Sequence, residues 1–322
     1  MQIKKHEEKI NIDFFKIIDK LGNGAFGYVY LVTPKKQFSS KKPPEKLYAM
    51  KILEKEKVIK QNLARYALTE RNVLSVAGNH PLIVGLDYAF QNSHRLYLIM
   101  EYCPGGDLGK QIKIKRKFTE EEARFYICEV IIAIEFLHKN KIIFRDLKPE
   151  NIVLDKNGHV KLTDFGLSKE NVGDLFDNKS FVGSIAYLAP EILKKQPHSK
   201  SLDWYLTGVL LYEMLVGVPP YYNNNRKILF ENIQSGPLRI PHTMSLDARD
   251  LILNLLNRNP KKRMGASEAD SEELKRHAFF KDINWEDVAN LKLDMPKIIV
   301  NSNFKLNPDA EQTFKAGEIE SE

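Results

Sequence analysis

The chain has 322 residues, of which 43% are hydrophobic, and it carries a formal net charge of +7 at pH 7. This length and hydrophobic content favour a folded protein of two domains, or of one bilobal unit, over a disordered chain. Two cysteines, Cys103 and Cys128, argue against a disulfide framework and predict a cytoplasmic location. Residues 1–8 lack the apolar core of a signal peptide, and no apolar stretch reaches the roughly 20 residues of a membrane span. We therefore expect no membrane span. The lysines are spread along the chain, so we also expect no nucleic-acid partner.

The first predicted elements are two strands, residues 14–21 and 28–32, joined by a glycine-rich loop. The loop has the pattern G-x-G-x-x-G-x-V and consists of Gly22, Asn23, Gly24, Ala25, Phe26, Gly27, Tyr28 and Val29. Glycines let backbone N–H groups approach phosphate oxygens closely. A dinucleotide-binding loop has similar glycine spacing but opens a helix, whereas residues 28–32 are β-branched and aromatic. The sequence therefore predicts a phosphate-binding loop between two strands, with a plain hairpin as the alternative.

A third strand is predicted for residues 48–53, after a Lys- and Pro-rich insertion at residues 34–46. The insertion is typical of a solvated loop, and a phosphate-recognising role stays open. The strand carries a single cation, Lys51, in an apolar run. We expect it to pair with Glu70, in a helix predicted for residues 62–76, and to reach nucleotide phosphates. The alternatives are a strand lysine whose charge lies in water and a Glu70 on a solvated helix face.

A hinge is predicted at Pro104-Gly105-Gly106, between a strand-rich part of the chain and a helical part. Residues 119–139 have helical periodicity, and Thr119 with Glu122 fits a capping box at the start of that helix. After Trp285 no clear periodicity is found.

A hairpin follows, with strands predicted at residues 152–154 and 159–162 and an Asn-Gly turn between them. An antiparallel hairpin returns the chain to its start, so Asn151 is expected close to Asp164. Two oxygen donors of this kind suit Mg²⁺ bound to substrate phosphates.

The loop before this hairpin carries two more candidate groups. Asp146 can orient a hydroxyl, and Lys148 can neutralise charge on a transferred phosphoryl group. Taken singly, Asp146 and Asn151 could be ordinary turn residues, because Asp and Asn favour loops.

In this order and spacing, the motifs resemble those of the eukaryotic protein kinases, over residues from about 14 to 280. Residues 189–191 match the A-P-E element, while Asp203 and Gly208 match a D-x-W-S-x-G element that has Leu206 in place of its Ser.

Within that family the chain resembles the basophilic AGC group, which contains protein kinases A, B and C. The finer resemblance rests on residues 100–108, on Phe144 before Arg-Asp, and on residues 275–285.

The resemblance implies an α+β, bilobal protein kinase fold, with a small β-rich N-lobe that has one main helix and a larger, mainly helical C-lobe. The implied domains are an N-terminal extension at 1–11, the N-lobe at 12–102, the C-lobe at 103–280 and an AGC-like tail at 281–322. The implied cofactors are ATP and Mg²⁺.

The resemblance also assigns the site. The implied catalytic residues are Asp146, Lys148, Lys51 and Glu70, and the implied metal ligands are Asn151 and Asp164. The implied nucleotide- and substrate-binding residues are Gly22, Asn23, Gly24, Ala25, Phe26, Gly27, Val29, Ala49, Lys51, Met100, Glu101, Cys103, Asp107 and Glu150.

Lys148 in D-L-K-P-E-N resembles serine/threonine kinases, so Ser or Thr acceptors are expected. Asp107, Glu150 and Glu231 match positions that bind arginines before the acceptor in this group, which implies protein substrates with Ser or Thr near basic residues. The change to Ile185 and Ala186 leaves the preference after the acceptor open.

Regulation is implied by Arg145, by Lys169 just after D-F-G, and by Ser180, which stands where the group carries its phosphoacceptor. An upstream activating kinase acting on Ser180 is therefore an expected partner. In the tail, Phe304 could contribute to the nucleotide pocket. No F-x-x-F motif follows up to Glu322, so docking of the tail on the N-lobe is left open.

The motifs also admit two other classes of function. A pseudokinase scaffold is disfavoured because Lys51, Asp146, Asn151 and Asp164 are all retained. A small-molecule phosphotransferase with a kinase-like fold is disfavoured because residues 167–191 hold an activation segment and the A-P-E element.

Overall fold

The computed structural model describes residues 10–24, 27–37, 46–60, 64–78, 80–167, 185–298, 300 and 307–319. Its contacts divide the chain into two units. The first takes in Met1–Gly78, Gly85–Cys103 and Asn301–Glu322, and the second takes in Asn79–Val84 and Pro104–Val300. Within the described ranges, no helix is long and apolar enough to cross a membrane. The predicted domain bounds stay predictions.

The regular elements of both units follow in chain order. They are β1 (Phe15–Gly24), β2 (Gly27–Pro34), β3 (Tyr48–Glu54), α1 (Lys55–Lys60), α2 (Ala64–Ala77), β4 (Leu86–Gln91), β5 (Arg95–Glu101), α3 (Leu108–Lys115), α4 (Glu120–Lys139), β6 (Ile152–Leu154), β7 (Val160–Leu162), α5 (Pro190–Leu193), α6 (Ser201–Val216), α7 (Arg226–Ser235), α8 (Leu246–Leu255), α9 (Ser271–Lys275), α10 (Trp285–Ala289) and α11 (Pro308–Ile319).

The first unit is built on a five-stranded sheet in the order β1-β2-β3-β5-β4. Every neighbouring pair is antiparallel. Strand alternation places a run of aromatic and aliphatic side chains on one face, where they form a core. Its buried members are Phe15, Ile17, Tyr30, Val32, Tyr48, Met50, Ile52, Tyr97 and Ile99, together with Ala310 and Phe314 of α11. The predicted strands and the helix α2 are present, with bounds shifted by a few residues.

The second unit is mainly helical, and α6 lies at its centre with nearly all its side chains buried. A Cβ at Gly208 would stand 2.7 Å from the Cβ of Leu255, so the glycine lets α6 approach α8 closely. The capping box predicted for α4 is confirmed. The Thr119 hydroxyl accepts from the Glu122 N–H at 3.2 Å, and the Glu122 carboxylate accepts from the Thr119 N–H at 3.0 Å. The strand-rich first unit and the mainly helical second unit confirm the α+β fold class.

Helix α11 was not predicted from the sequence. Its start is marked by Asn307, whose side chain accepts from the Asp309 N–H at 3.1 Å, and by Pro308 in its first position. Its only apolar repeat with a known burial is the pair Ala310 and Phe314, four residues apart. A single such pair is too short a pattern to reveal a helix by periodicity.

Candidate active site

In the first unit, the ammonium of Lys51 on β3 lies 2.6 Å from the Glu70 carboxylate on α2. The two side chains are 11% and 3% exposed. Burying a charge costs free energy unless the charge is paired, so each group offsets the cost of burying the other. The predicted ion pair is present, and the reading of Glu70 as a solvated surface acid is wrong.

The glycine-rich loop joins β1 to β2, with Gly24 opposite Gly27. A Cβ at Gly27 would lie 1.8 Å from the Ile52 carbonyl oxygen, so only glycine fits beside β3 there. A Cβ at Gly22 would meet nothing within 4 Å, so the sheet does not require glycine at that position. An open glycine suits close approach by a phosphate. Ala25 and Phe26 lie outside the described residues.

The remaining predicted nucleotide-binding residues of this unit are divided between the faces of the sheet. Val29 is paired with Lys51, and Ala49 with Met100, so these four side chains share one face. Glu101 is the next residue along β5, so its side chain belongs to the other face. Its N–H donates to the Gly85 carbonyl at 2.9 Å. Cys103 follows β5 and is buried.

In the second unit, the Asp146 carboxylate is fixed by two neighbours. The Lys148 ammonium lies 2.7 Å from Asp146 Oδ2, and the Asn151 amide nitrogen donates to the same oxygen at 2.7 Å. Burial raises the pKa of Asp146, the Asp164 carboxylate adds to the rise, and Lys148 and Asn151 oppose it. The arrangement holds a carboxylate in one orientation, as a group that orients a hydroxyl must be held.

The hairpin β6–β7 has the predicted form, with Ile152 opposite Leu162. The Thr163 N–H donates to the Asn151 carbonyl at 3.0 Å, which brings Asn151 beside Asp164 as predicted. Asp164 has φ +62, in the left-handed region that most residues other than glycine avoid and that occurs at functional sites.

These two side chains fit a divalent cation. The Asn151 amide nitrogen is engaged by Asp146, which leaves its oxygen as the group that can accept a metal ion. One carboxylate and one amide oxygen, completed by phosphate oxygens and water, form the kind of ligand set that Mg²⁺ prefers.

The loop that carries Asp146 is held in place by Asp203 of α6. Its carboxylate accepts from the Phe144 N–H at 2.9 Å and from the Arg145 N–H at 2.7 Å. Arg145 has φ +70, so this residue too is held in a strained backbone conformation.

A buried histidine connects Asp203 to a more distant acid. His138 Nε2 lies 2.9 Å from Asp203, and its Nδ1 lies 3.1 Å from Asp270. Burial acts to lower the pKa of His138, but hydrogen bonds to the two carboxylates outweigh it and raise the pKa to about 9. Sequence reasoning missed both His138 and Asp270, because Asp270 is 132 residues from His138 and no spacing rule joins them.

The predicted substrate-binding acids of this unit are placed differently from one another. Asp107 caps α3 through the Lys110 N–H at 2.8 Å, and its other oxygen lies 3.0 Å from the Lys110 ammonium. Glu150 and Glu231 are exposed.

Sequence reasoning missed Glu213 of α6. One of its carboxylate oxygens is buried and has no hydrogen-bond partner in the described part of the chain. Burial and repulsion by Glu150 raise its pKa to about 7, and Lys113 opposes the rise. The sequence feature that could have revealed Glu213 is its place as the one acid in the apolar stretch L-L-Y-E-M-L-V.

The predicted regulatory residues are only partly placed. Arg145 is half-buried beside Asp146. Lys169 and Ser180 lie outside the described residues, as does Phe304 of the tail.

Comparison with known proteins agrees with this geometry. The family model described as "Protein kinase domain" matches residues 15–280, and the chain belongs to that family. The predicted resemblance to AGC serine/threonine kinases is confirmed.

Among curated proteins, the chain is 42% identical over 294 residues to the RAC-beta serine/threonine-protein kinases of Rattus norvegicus and Homo sapiens, covering 91% of this chain and 60% of each relative. It is 41% identical over 291 residues to the serine/threonine-protein kinase Sgk1 of Gallus gallus, covering 90% of this chain and 65% of the relative. The chain thus spans about three fifths of the length of the curated relatives it matches.

Proposed function

We propose that this chain is an ATP- and Mg²⁺-dependent protein kinase that transfers the γ-phosphoryl group to Ser or Thr in basic peptides. The observation that carries the proposal is the fixed Asp146 carboxylate, held by Lys148 and Asn151 on the loop that leads into the hairpin of Asp164. Membership of the protein kinase family supports ATP and a divalent metal, and the ligand set favours Mg²⁺ among such metals.

Each residue has a defined task in this proposal. Asp164 and the Asn151 amide oxygen would hold Mg²⁺, which would neutralise charge on the phosphates. Asp146 accepts a hydrogen bond from the attacking Ser or Thr hydroxyl and orients it. Lys148 stabilises negative charge on the transferred group, while Lys51, oriented by Glu70, binds the nucleotide phosphates. Positioning and electrostatic stabilisation of this kind supply most of the catalysis of phosphoryl transfer.

A radiolabelled transfer assay with purified protein, ATP and Mg²⁺ tests the proposal on peptides that differ only in carrying Arg or Gln before a serine. Incorporation into the Arg peptide, lost on chelation of Mg²⁺, is the expected result. ATP binding without transfer to any peptide would support a pseudokinase scaffold, and transfer to a small metabolite alone would support the second alternative.

Recognition of arginine is proposed to involve the acids around Glu213. The Glu213 carboxylate has an oxygen with no hydrogen-bond partner among the residues that the structure describes, and it lies close enough to Glu150 for the two charges to repel. An arginine guanidinium would relieve that repulsion and supply the missing hydrogen bond. Asp107 and Glu150 are proposed to contribute as exposed or half-buried acids, whose effect salt screens.

The preference for arginine should therefore depend on pH. The pKa of Glu213 is about 7 in the folded protein, against an ordinary value of 4.5, so the carboxyl is neutral below pH 7 and negative above it. We expect the ratio of kcat/KM values for Arg and Gln peptides to fall about fivefold from pH 8 to pH 6, the loss expected of one charge-assisted hydrogen bond.

Glu213→Gln should lower this ratio at pH 8 and flatten its pH profile, whereas the exposed Glu268→Gln should change neither. An unaltered profile in Glu213→Gln would show that another group governs the preference.

Activation by an upstream kinase acting on Ser180 is part of the proposal. A phosphoserine adds a charge of roughly −1.5 to −2, which Arg145 and Lys169 could hold, and so order the segment that presents substrate. We expect Ser180→Ala to lower peptide phosphorylation roughly tenfold while ATP binding is kept, since only the segment is affected. Equal activity of the variant and of wild-type protein shown by mass spectrometry to be phosphorylated at Ser180 would refute this.

A cytoplasmic location stays a prediction.

A further inference from the structure

The C-terminal helix α11 is part of the core of the first unit. Ala310 and Phe314 are 4% and 7% exposed, and both belong to the core on the sheet. The Phe314 ring meets the Tyr30 ring edge-on, with centroids 5.6 Å apart and planes at 82°. The Lys16 ammonium also forms an ion pair with Glu311. Helix α11 is thus fixed to β1 and β2, the two strands that carry the glycine-rich loop.

The attachment begins at an irregularity of β1. Ile17 is opposite Val32 and Asp19 is opposite Leu31, so Ile18 is an extra residue with no partner on β2. Its carbonyl accepts from the Asn307 N–H at 2.9 Å. The Asn307 side-chain amide donates to Asp19 Oδ1 at 2.9 Å, and the same oxygen accepts from the Lys20 N–H at 2.8 Å. Asn307 therefore fills the hydrogen-bonding gap that the bulge opens.

The attachment of α11 matters because the rest of the sheet holds β1 only weakly. As the first strand in the order of the sheet, β1 has β2 as its one neighbouring strand among the described residues. A second register shift, between Lys20 and Gly22, weakens that pairing further. Backbone hydrogen bonds to a neighbouring strand hold an edge strand with two irregularities only weakly. A contact with another element, here α11, therefore contributes much to its conformation. Gly22 is three residues from Asp19, a distance of about 10 Å along a strand.

We infer that Asn307 and Phe314 are positioning residues for nucleotide binding, because they hold the β1–β2 hairpin in the conformation in which the glycine-rich loop receives phosphates. This inference rests on the proposed function, since it assigns ATP to that loop. Neither residue touches the nucleotide in this proposal. Both act through β1 and β2.

The role of Asn307 is tested by adding a negative charge at its contact with Asp19 and then exchanging the two residues. Asn307→Asp places a carboxylate against Asp19 with almost no change of shape, so the two acids repel each other and the contact opens. We expect the dissociation constant for ATP, read with a fluorescent ATP analogue, to rise about fivefold while kcat at saturating ATP changes less than twofold, the pattern of lost ground-state binding. The double variant Asp19→Asn/Asn307→Asp restores a donor opposite an acceptor and should bring the constant back to within about twofold of wild type.

A second pair of variants tests Phe314. Phe314→Ala should weaken ATP binding about as much as Asn307→Asp does, because both release the same helix. Thr313→Ala, on the exposed side of α11, should bind ATP as wild type does. Hydrogen exchange of the amides of residues 15–24, measured without nucleotide, should be faster in Phe314→Ala and in Asn307→Asp only.

The outcomes separate this inference from the proposed function. Wild-type protein that binds no ATP would contradict the proposed function. Wild-type protein that binds ATP, together with an Asn307→Asp variant of faster exchange and unchanged ATP affinity, would overturn the positioning role alone. Failure of the double variant to recover affinity would also overturn it, since repulsion at Asp19 would then not be the cause.

Discussion

Replacement of Asp164 by alanine is expected to leave a folded protein that binds the nucleoside part of ATP but transfers phosphoryl groups at least about a hundredfold more slowly. Asp164 stands directly after the β6–β7 hairpin, in a strained backbone conformation with φ +62. Its carboxylate is the stronger of the two proposed Mg²⁺ ligands, because the other is the neutral amide oxygen of Asn151. Without this carboxylate the site should lose the metal ion, whose charge would otherwise neutralise the phosphates during transfer.

The measurement is single-turnover phosphoryl transfer to an Arg-containing peptide, alongside binding of adenosine and thermal unfolding. Asp282→Ala serves as a matched control, because Asp282 is an exposed acid of the same unit. A transfer rate within a few-fold of wild type in Asp164→Ala would contradict the assignment of the metal ligand. A lower unfolding temperature in the Asp164 variant would not explain the loss, since rates are taken on protein that binds adenosine normally.

The parts of the site that local sequence rules describe were predictable. The Asn-Gly turn fixed the hairpin, whose first strand is found at Ile152–Leu154 as predicted, and the hairpin brings Asn151 to Asp164. The capping box at Thr119 marked the start of α4. Lys51 stood out because a lone cation in an apolar strand needs an anion.

The parts that depend on distant contacts were not predictable. His138 and Asp270 meet only because α4 and the segment before α9 pack against α6. Glu213 could be read as one more polar residue of a helix until its burial and its neighbour Glu150 were known. Helix α11 has a short apolar repeat and owes its place to the bulge at Ile18, which strand alternation does not reveal. Such features follow from tertiary packing, which overrides local propensity.

A buried ion pair of the second unit gives the largest expected effect on stability. Arg263 lies in the loop after α8, and its side chain is fully buried against Glu191 of the A-P-E element. The two guanidinium nitrogens donate to the two carboxylate oxygens at 2.8 and 3.0 Å. Arg263 also donates to the Ser201 carbonyl at 2.9 Å, and its guanidinium lies 4.8 Å from the centre of the Tyr205 ring.

Arg263→Met should lower the free energy of unfolding by about 3–5 kcal/mol, because it leaves the Glu191 carboxylate buried without a partner. Methionine keeps much of the side-chain volume, so the loss reports the charge more than a cavity. Denaturant unfolding of the wild type and of Arg263→Met measures it, with the exposed Arg276→Met as the control that should change stability by less than about 0.5 kcal/mol.

The double variant Glu191→Leu/Arg263→Met identifies the cause. Removing both charges takes away the unpaired carboxylate, so the double variant should be more stable than Arg263→Met although it lacks one more native group. It should not reach wild type, because the Ser201 carbonyl still lacks its donor. A double variant less stable than Arg263→Met would mean that packing around the guanidinium, rather than the buried charge of Glu191, accounts for the loss.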